Sequence, residues 1–261
     1  MSMFHVHWFS EILGKATTAQ ILYPDAGKPP FPTLYLLHGL SDDSTIWLRR
    51  TRLEVYAANL PLLIVMPDGY RSFYTNHHEG ADYARHFGEE LPAFIERTFQ
   101  VRPTRDARAI GGLSMGGYGA LRVGLGYAGR FCSIHSHSGA VGWGQNRNYE
   151  QVARATGRGS DFAAELRRIF GPSPEGSDHH LLTLAKRAKK ARQLPKISLD
   201  CGREDFLLTN NRAFVKELRA AKVPHTYKEH PGSHEWGYWD THIREALAFH
   251  MKNLKLRTGR K

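Results

Sequence analysis

Short apolar runs rich in β-branched residues recur along this chain at intervals long enough to hold a helix, and that rhythm narrows the choice of fold most. Leu34 to Leu37, Leu62 to Met66, Ala109 to Leu113, Phe131 to His135, Ile197 to Leu199 and Thr226 to Glu229 are six such runs. Parallel strands need crossover connections of this length, so the runs predict a mostly parallel sheet. Phe4 to Ser10 and Gln20 to Tyr23 lie too close together for a crossover helix, which predicts an antiparallel start and about eight strands in all. Phe87, Leu91, Ile95 and Phe99 recur every four residues, and Ile243, Leu247, Met251 and Leu254 mark a stripe on the last helix. Strands alternating with such helices give an α/β fold covered on both faces, with its site at the carboxyl ends of the strands.

The 261 residues fit one domain spanning 1–261, and 41% hydrophobic residues are enough to exclude wholesale disorder. Residues 142–192, rich in Gly, Arg, Ala and Ser, carry little strand signal and are expected to form a small helical excursion above the sheet. Two cysteines, Cys132 and Cys201, exclude a disulfide scaffold and fit a reducing compartment. His5, His7, Ser10 and Glu11 interrupt the apolar start, so neither a signal peptide nor a membrane helix is expected and the location is read as cytoplasmic. Much of the net charge of +11 sits in Lys186 to Arg192 and in the tail Lys252 to Lys261. Neither stretch has an aromatic residue to stack on a base, so both are read as solvated surface and no nucleic-acid partner is expected. Oligomeric state is not legible in the sequence.

Gly112, Ser114 and Gly116 spell G-x-S-x-G between an apolar run and a helical stretch beginning near Met115. Such a turn displays a serine hydroxyl where strand becomes helix, and side chains two residues to either side would collide with neighbouring backbone. A serine hydroxyl near neutral pH needs a base, and the base needs an orienting acid, in chain order Ser, Asp or Glu, His. Asp205 follows the strand-like Ile197 to Leu199, and His234 follows the last strand and precedes the final helix. Asp200 and Glu204 compete as the acid, and His230 competes as the base. An oxyanion would be held by backbone N–H donors, one from Met115 and a second from Leu40 beside Gly39. His38 is expected to brace that loop.

With these residues in place, the chain resembles the Putative esterase family of α/β-hydrolases, which includes S-formylglutathione hydrolase, tributyrin esterase and feruloyl or acetylxylan esterases. The resemblance rests on LYLLHGLSDDSTIW, LLIVMPDGYRSFYTN, GGLSMGGYGAL, LDCGREDFLLTNN and HPGSHEW, spread from about residue 33 to 240. It implies an α/β-hydrolase fold with Ser114 as nucleophile, Asp205 as acid, His234 as base, and Leu40 and Met115 as oxyanion donors, the same five as the spacing. Tyr118 stands where S-formylglutathione hydrolases usually carry His, so the tributyrin-esterase branch is the more similar one. That branch implies short acyl esters as small-molecule substrates and no cofactor. Acyl transfer to an alcohol, a glutathione thioesterase, a sugar acetyl or feruloyl esterase, and a non-catalytic binding module are the rival readings.

Fifteen histidines raise the question of a metal. His5 with His7 and His135 with His137 each place two imidazoles on one strand face, but there is no HExxH and serine hydrolysis requires no ion, so none is expected. Among aromatic residues near the site loops, Tyr74 and Trp143 are the candidates to line a substrate pocket.

Overall fold

The computed structural model describes residues 1–145 and 148–254; part of the basic tail, 255–261, lies outside the described residues. All eight expected strands are present: β1 (Ser2–Ser10), β2 (Lys15–Tyr23), β3 (Thr33–Leu37), β4 (Leu63–Pro67), β5 (Arg108–Leu113), β6 (Ser133–His137), β7 (Lys196–Gly202) and β8 (Thr226–His230). They form one sheet in the order β1-β2-β4-β3-β5-β6-β7-β8. β1 pairs antiparallel with β2, and β2 with β4; every later pairing is parallel. The helices are α1 (Ile46–Arg50), α2 (Leu53–Ala57), α3 (Tyr83–Arg85), α4 (Leu91–Thr98), α5 (Met115–Gly126), α6 (Tyr149–Ala155), α7 (Ser160–Phe170), α8 (Leu181–Lys190), α9 (Leu208–Ala220) and α10 (Trp236–Asn253).

Alternation along the strands builds two cores. Tyr35, Leu37, Leu63, Val65 and Ile110 join Leu121 of α5, Leu184 of α8 and Phe214 of α9 on one face. Leu34, Leu36, Ile64, Met66 and Ala109 join Trp47, Leu53 and the α10 stripe of Ile243, Leu247, Met251 and Leu254 on the other. No helix among the described residues is long and apolar enough to cross a membrane.

Strand ends shift by up to five residues, as at β2, which starts at Lys15 where Gln20 was expected, and three further features differ from the sequence reading. β6 lies two residues later than expected, in register Ala109↔Ser133 to Leu113↔His137. Its two histidines enter the sheet because a buried carboxylate on β7 accepts from both, so a polar segment becomes a central strand. The stripe from Phe87 to Ile95 is not one α-helix: His86–Glu90 forms a π-helical turn between α3 and α4. The excursion also ends earlier than 192, because α8 packs against α5 and α9 through Leu181, Leu184, Ala185 and Ala188 and covers the sheet. Its basic residues lie on the opposite, solvated face.

Candidate active site

Ser114 is the hinge between β5 and α5, with φ 52° and ψ −116°. A positive φ is strained for a non-glycine residue and persists only where surrounding contacts hold it. Here the Ser114 N–H donates to His137 O at 2.9 Å, and the Ser114 carbonyl accepts from Tyr118 and Ala140 N–H at 3.1 and 3.0 Å. The flanking glycines are obligatory. A Cβ at Gly112 would lie 2.5 Å from Gly116 O, and one at Gly116 would lie 2.5 Å from both Leu37 O and His38 O.

The Ser114 hydroxyl lies 2.9 Å from His234 Nε2, and His234 Nδ1 lies 2.8 Å from Asp205 Oδ2. The other Asp205 oxygen accepts from Leu207 N–H at 2.8 Å. A carboxylate only accepts, so His234 carries its proton on Nδ1 and presents a lone pair on Nε2 to the serine hydroxyl. Phe206 and Trp239 pack on the imidazole with ring centroids 4.6 and 4.9 Å away. The two loops that carry Asp205 and His234 are fastened to each other. Gly232 N–H donates to Glu204 Oε2 at 2.5 Å, and Glu204 N–H donates to Gly232 O at 3.1 Å.

The competing acids and base are engaged elsewhere. Glu204 is committed to Gly232, and Asp200 is buried with Oδ2 accepting from His135 and His137 at 2.8 Å each and Oδ1 accepting from Tyr238 at 2.9 Å. Burial would raise the Asp200 pKa, but His137 and His135 hold it well below the usual carboxylate range. Burial, with His137 alongside, drives His135 down to about 4. His230 faces His242 and Glu245. Pairing His135 with His137 on one face matches the sequence reading; Asp200 was singled out only as a rival acid and not as the third member of this group, because its partners come from a different strand. Two groups thus have a metal-like composition, His135/His137/Asp200 and His230/His242/Glu245.

Met115 is the first residue of α5, where an N–H has no intrahelical acceptor. Leu40 is placed by His38. His38 Nε2 accepts from Gly69 N–H at 2.8 Å, so the ring proton is on Nδ1, which donates to Gly39 O at 2.8 Å. In a trans peptide the N–H of Leu40 points opposite to that carbonyl. The loop passes close to the serine, since a Cβ at Gly39 would sit 3.8 Å from Ser114 Cβ.

These groups open on a cleft of about 280 Å³ lined by Leu40, Met115, Trp143, Arg158, Phe206 and Trp236, among others. Trp143 and Phe206 are shared with an adjoining hollow of about 210 Å³. Trp143, a candidate from the sequence, lines both hollows. Tyr74 does not: it is fully buried at φ 53°, with its ring against Gly69 and Gly119 and its hydroxyl donating to His38 O at 3.0 Å, so it supports the loop from below. Phe206 and Trp239 were not anticipated, although each follows closely on Asp205 or His234 in the sequence. Arg158 gave no signal, being one of many arginines in the excursion.

Comparison with known proteins identifies the family and the fold. The family model described as Putative esterase matches residues 10–250. An acetyl esterase of Caldicellulosiruptor saccharolyticus is 31% identical over 272 residues, covering 97% of this chain and 99% of that protein. Among solved structures, the fluorophosphonate-binding serine hydrolase FphF of Staphylococcus aureus superposes with TM-score 0.84 at 28% identity, over 95% of this chain and 98% of that one. An S-formylglutathione hydrolase of S. aureus, FrmB, gives TM-score 0.81 at 28% identity over the same shares. The chain is an α/β-hydrolase enzyme that belongs to the Putative esterase family.

Proposed function

We propose that this carboxylic-ester hydrolase cleaves short-chain acyl esters through an acyl-enzyme on Ser114. The carrying observation is the unbroken line of 2.9 and 2.8 Å contacts from the serine hydroxyl through His234 to Asp205. His234 Nε2 takes the Ser114 proton as Oγ attacks the ester carbonyl, and Asp205 holds the imidazolium that results. Charge on the carbonyl oxygen is met by the N–H groups of Met115 and Leu40, each supplying a few kcal/mol (about 3) to the transition state. His234 then returns the proton to the departing alkoxide, which leaves as the alcohol. Water repeats the sequence on the acyl-enzyme and releases the acid and free Ser114.

The cleft of about 280 Å³ lies just under the range of drug-sized pockets, roughly 300 Å³ upward, which favours a short acyl chain. The test is burst kinetics with p-nitrophenyl acetate and butyrate, extended to longer acyl chains, S-formylglutathione and a feruloyl ester. Ser114→Ala is expected to lower kcat by roughly 10³- to 10⁶-fold and to abolish fluorophosphonate labelling. Full turnover in that variant would remove the assignment, and a preference for a long-chain or feruloyl ester would overturn the substrate class.

A further inference from the structure

Outside the serine site, the end of β8 and the middle of α10 bring together a second set of donor atoms. His230 is the last residue of β8, and His242 and Glu245 lie one turn apart on α10. Glu245 Oε1 is 3.1 Å from His242 Nδ1 and 3.5 Å from His230 Nε2. The three side chains are 23, 13 and 41% exposed, so an ion and its waters have access.

We propose that His230, His242 and Glu245 form a binding site for a zinc-like divalent ion that joins the two flanks of the loop carrying His234. Two imidazoles and one carboxylate are a zinc donor set, with water completing the coordination. The rings lie stacked with centroids 4.0 Å apart, so one imidazole turns about its side-chain torsion for both lone pairs to meet at a single point. Partial exposure leaves that rotation open. Lys228 Nζ holds the other oxygen, Oε2, at 2.5 Å, so Oε1 is the one left for the ion.

The buried group of His135, His137 and Asp200 makes the useful contrast. There the carboxylate also meets two imidazoles and a third donor, the Tyr238 hydroxyl, but the His135, His137 and Asp200 side chains are only 1 to 5% exposed, which shuts out an ion and its waters. The outer group offers an accessible carboxylate oxygen flanked by two imidazoles.

Zinc chloride titrated into the chelator-treated full chain by calorimetry is expected to show one ion per chain bound through this site. The midpoint of thermal unfolding is expected to rise by about 5–10 °C when free zinc is 100-fold above the dissociation constant. His242→Ala and Glu245→Gln are each expected to weaken binding by at least about tenfold, with a zinc-free midpoint near wild type showing that the fold is intact. Absence of saturable binding to the wild-type chain would overturn the proposal. So would wild-type affinity in both variants, which would place the ion elsewhere, at the His5 and His7 pair or the buried group.

Discussion

Acidification from pH 7.5 to 5 is expected to destabilise the protein, with His179 contributing a separable share. Burial, together with the nearby Arg122 guanidinium, lowers the His179 pKa from 6.5 to about 4. Arg122 Nε donates to Thr75 Oγ1 at 3.0 Å, and Thr75 Oγ1 lies 2.9 Å from His179 Nδ1, so the neutral ring completes a polar chain beside a fixed positive charge. Between pH 6.5 and 4 the unfolded chain takes up a proton that the folded chain refuses, and stability therefore falls as pH drops through that window. The full difference between 6.5 and about 4 corresponds to at most about 3.4 kcal/mol. Evaluated between pH 7.5 and 5, His179 accounts for about 2 kcal/mol.

Urea unfolding at the two pH values reads this directly. With a slope near 3 kcal/mol/M, the His179 share moves the midpoint by roughly 0.7 M. Other buried histidines, His135 and His250 among them, add to the wild-type slope, so the decisive quantity is a difference between proteins. His179→Asn loses some stability at pH 7.5 but is expected to lose about 2 kcal/mol less than wild type on acidification. Equal pH dependence in variant and wild type would show that His179 is not held neutral by its surroundings, and the reasoning would fail.

Two further outcomes follow from the site. Asp205→Asn removes the acceptor that sets the His234 tautomer while leaving the shape unchanged, and kcat for p-nitrophenyl acetate is expected to fall by about 10³- to 10⁴-fold. His38→Ala frees the Gly39 carbonyl and with it the direction of the Leu40 N–H; steady-state kinetics are expected to show a loss of about 10²-fold in kcat with little change in KM.

The strands were legible because their signal is local. A run such as Leu34 to Leu37, buried on both sides, needs apolar residues at every position, and period-two alternation then assigns each to one of the two cores. The glycines around Ser114 were legible for a steric reason that any such sharp strand-to-helix turn must satisfy. What escaped depends on partners distant in sequence. His135 and His137 enter β6 only because Asp200 and Tyr238 arrive from β7 and α10, and no composition rule on residues 131–137 contains that fact. Residues 142–192 were expected to be helical, but nothing in the sequence told that α8 (Leu181–Lys190) packs down on α5 and α9 through Leu181, Leu184, Ala185 and Ala188 instead of rising above the sheet. Tyr74 was misplaced because the positive φ of its turn directs the ring inward beneath the His38 loop.

The crowding about Gly112 and Gly116 also determines where this enzyme can diversify. Backbone carbonyls stand 2.5 Å from any carbon added at either glycine, so mutational drift there meets immediate lethality to the fold. Trp143, Arg158 and Phe206 reach the cleft from the excursion and from the turn before α9, outside that rigid frame. Libraries that randomise Trp143 and Arg158 can thus explore new acyl and alcohol preferences while leaving the Ser114, His234 and Asp205 contacts in place; Phe206, packed on the His234 imidazole, is kept.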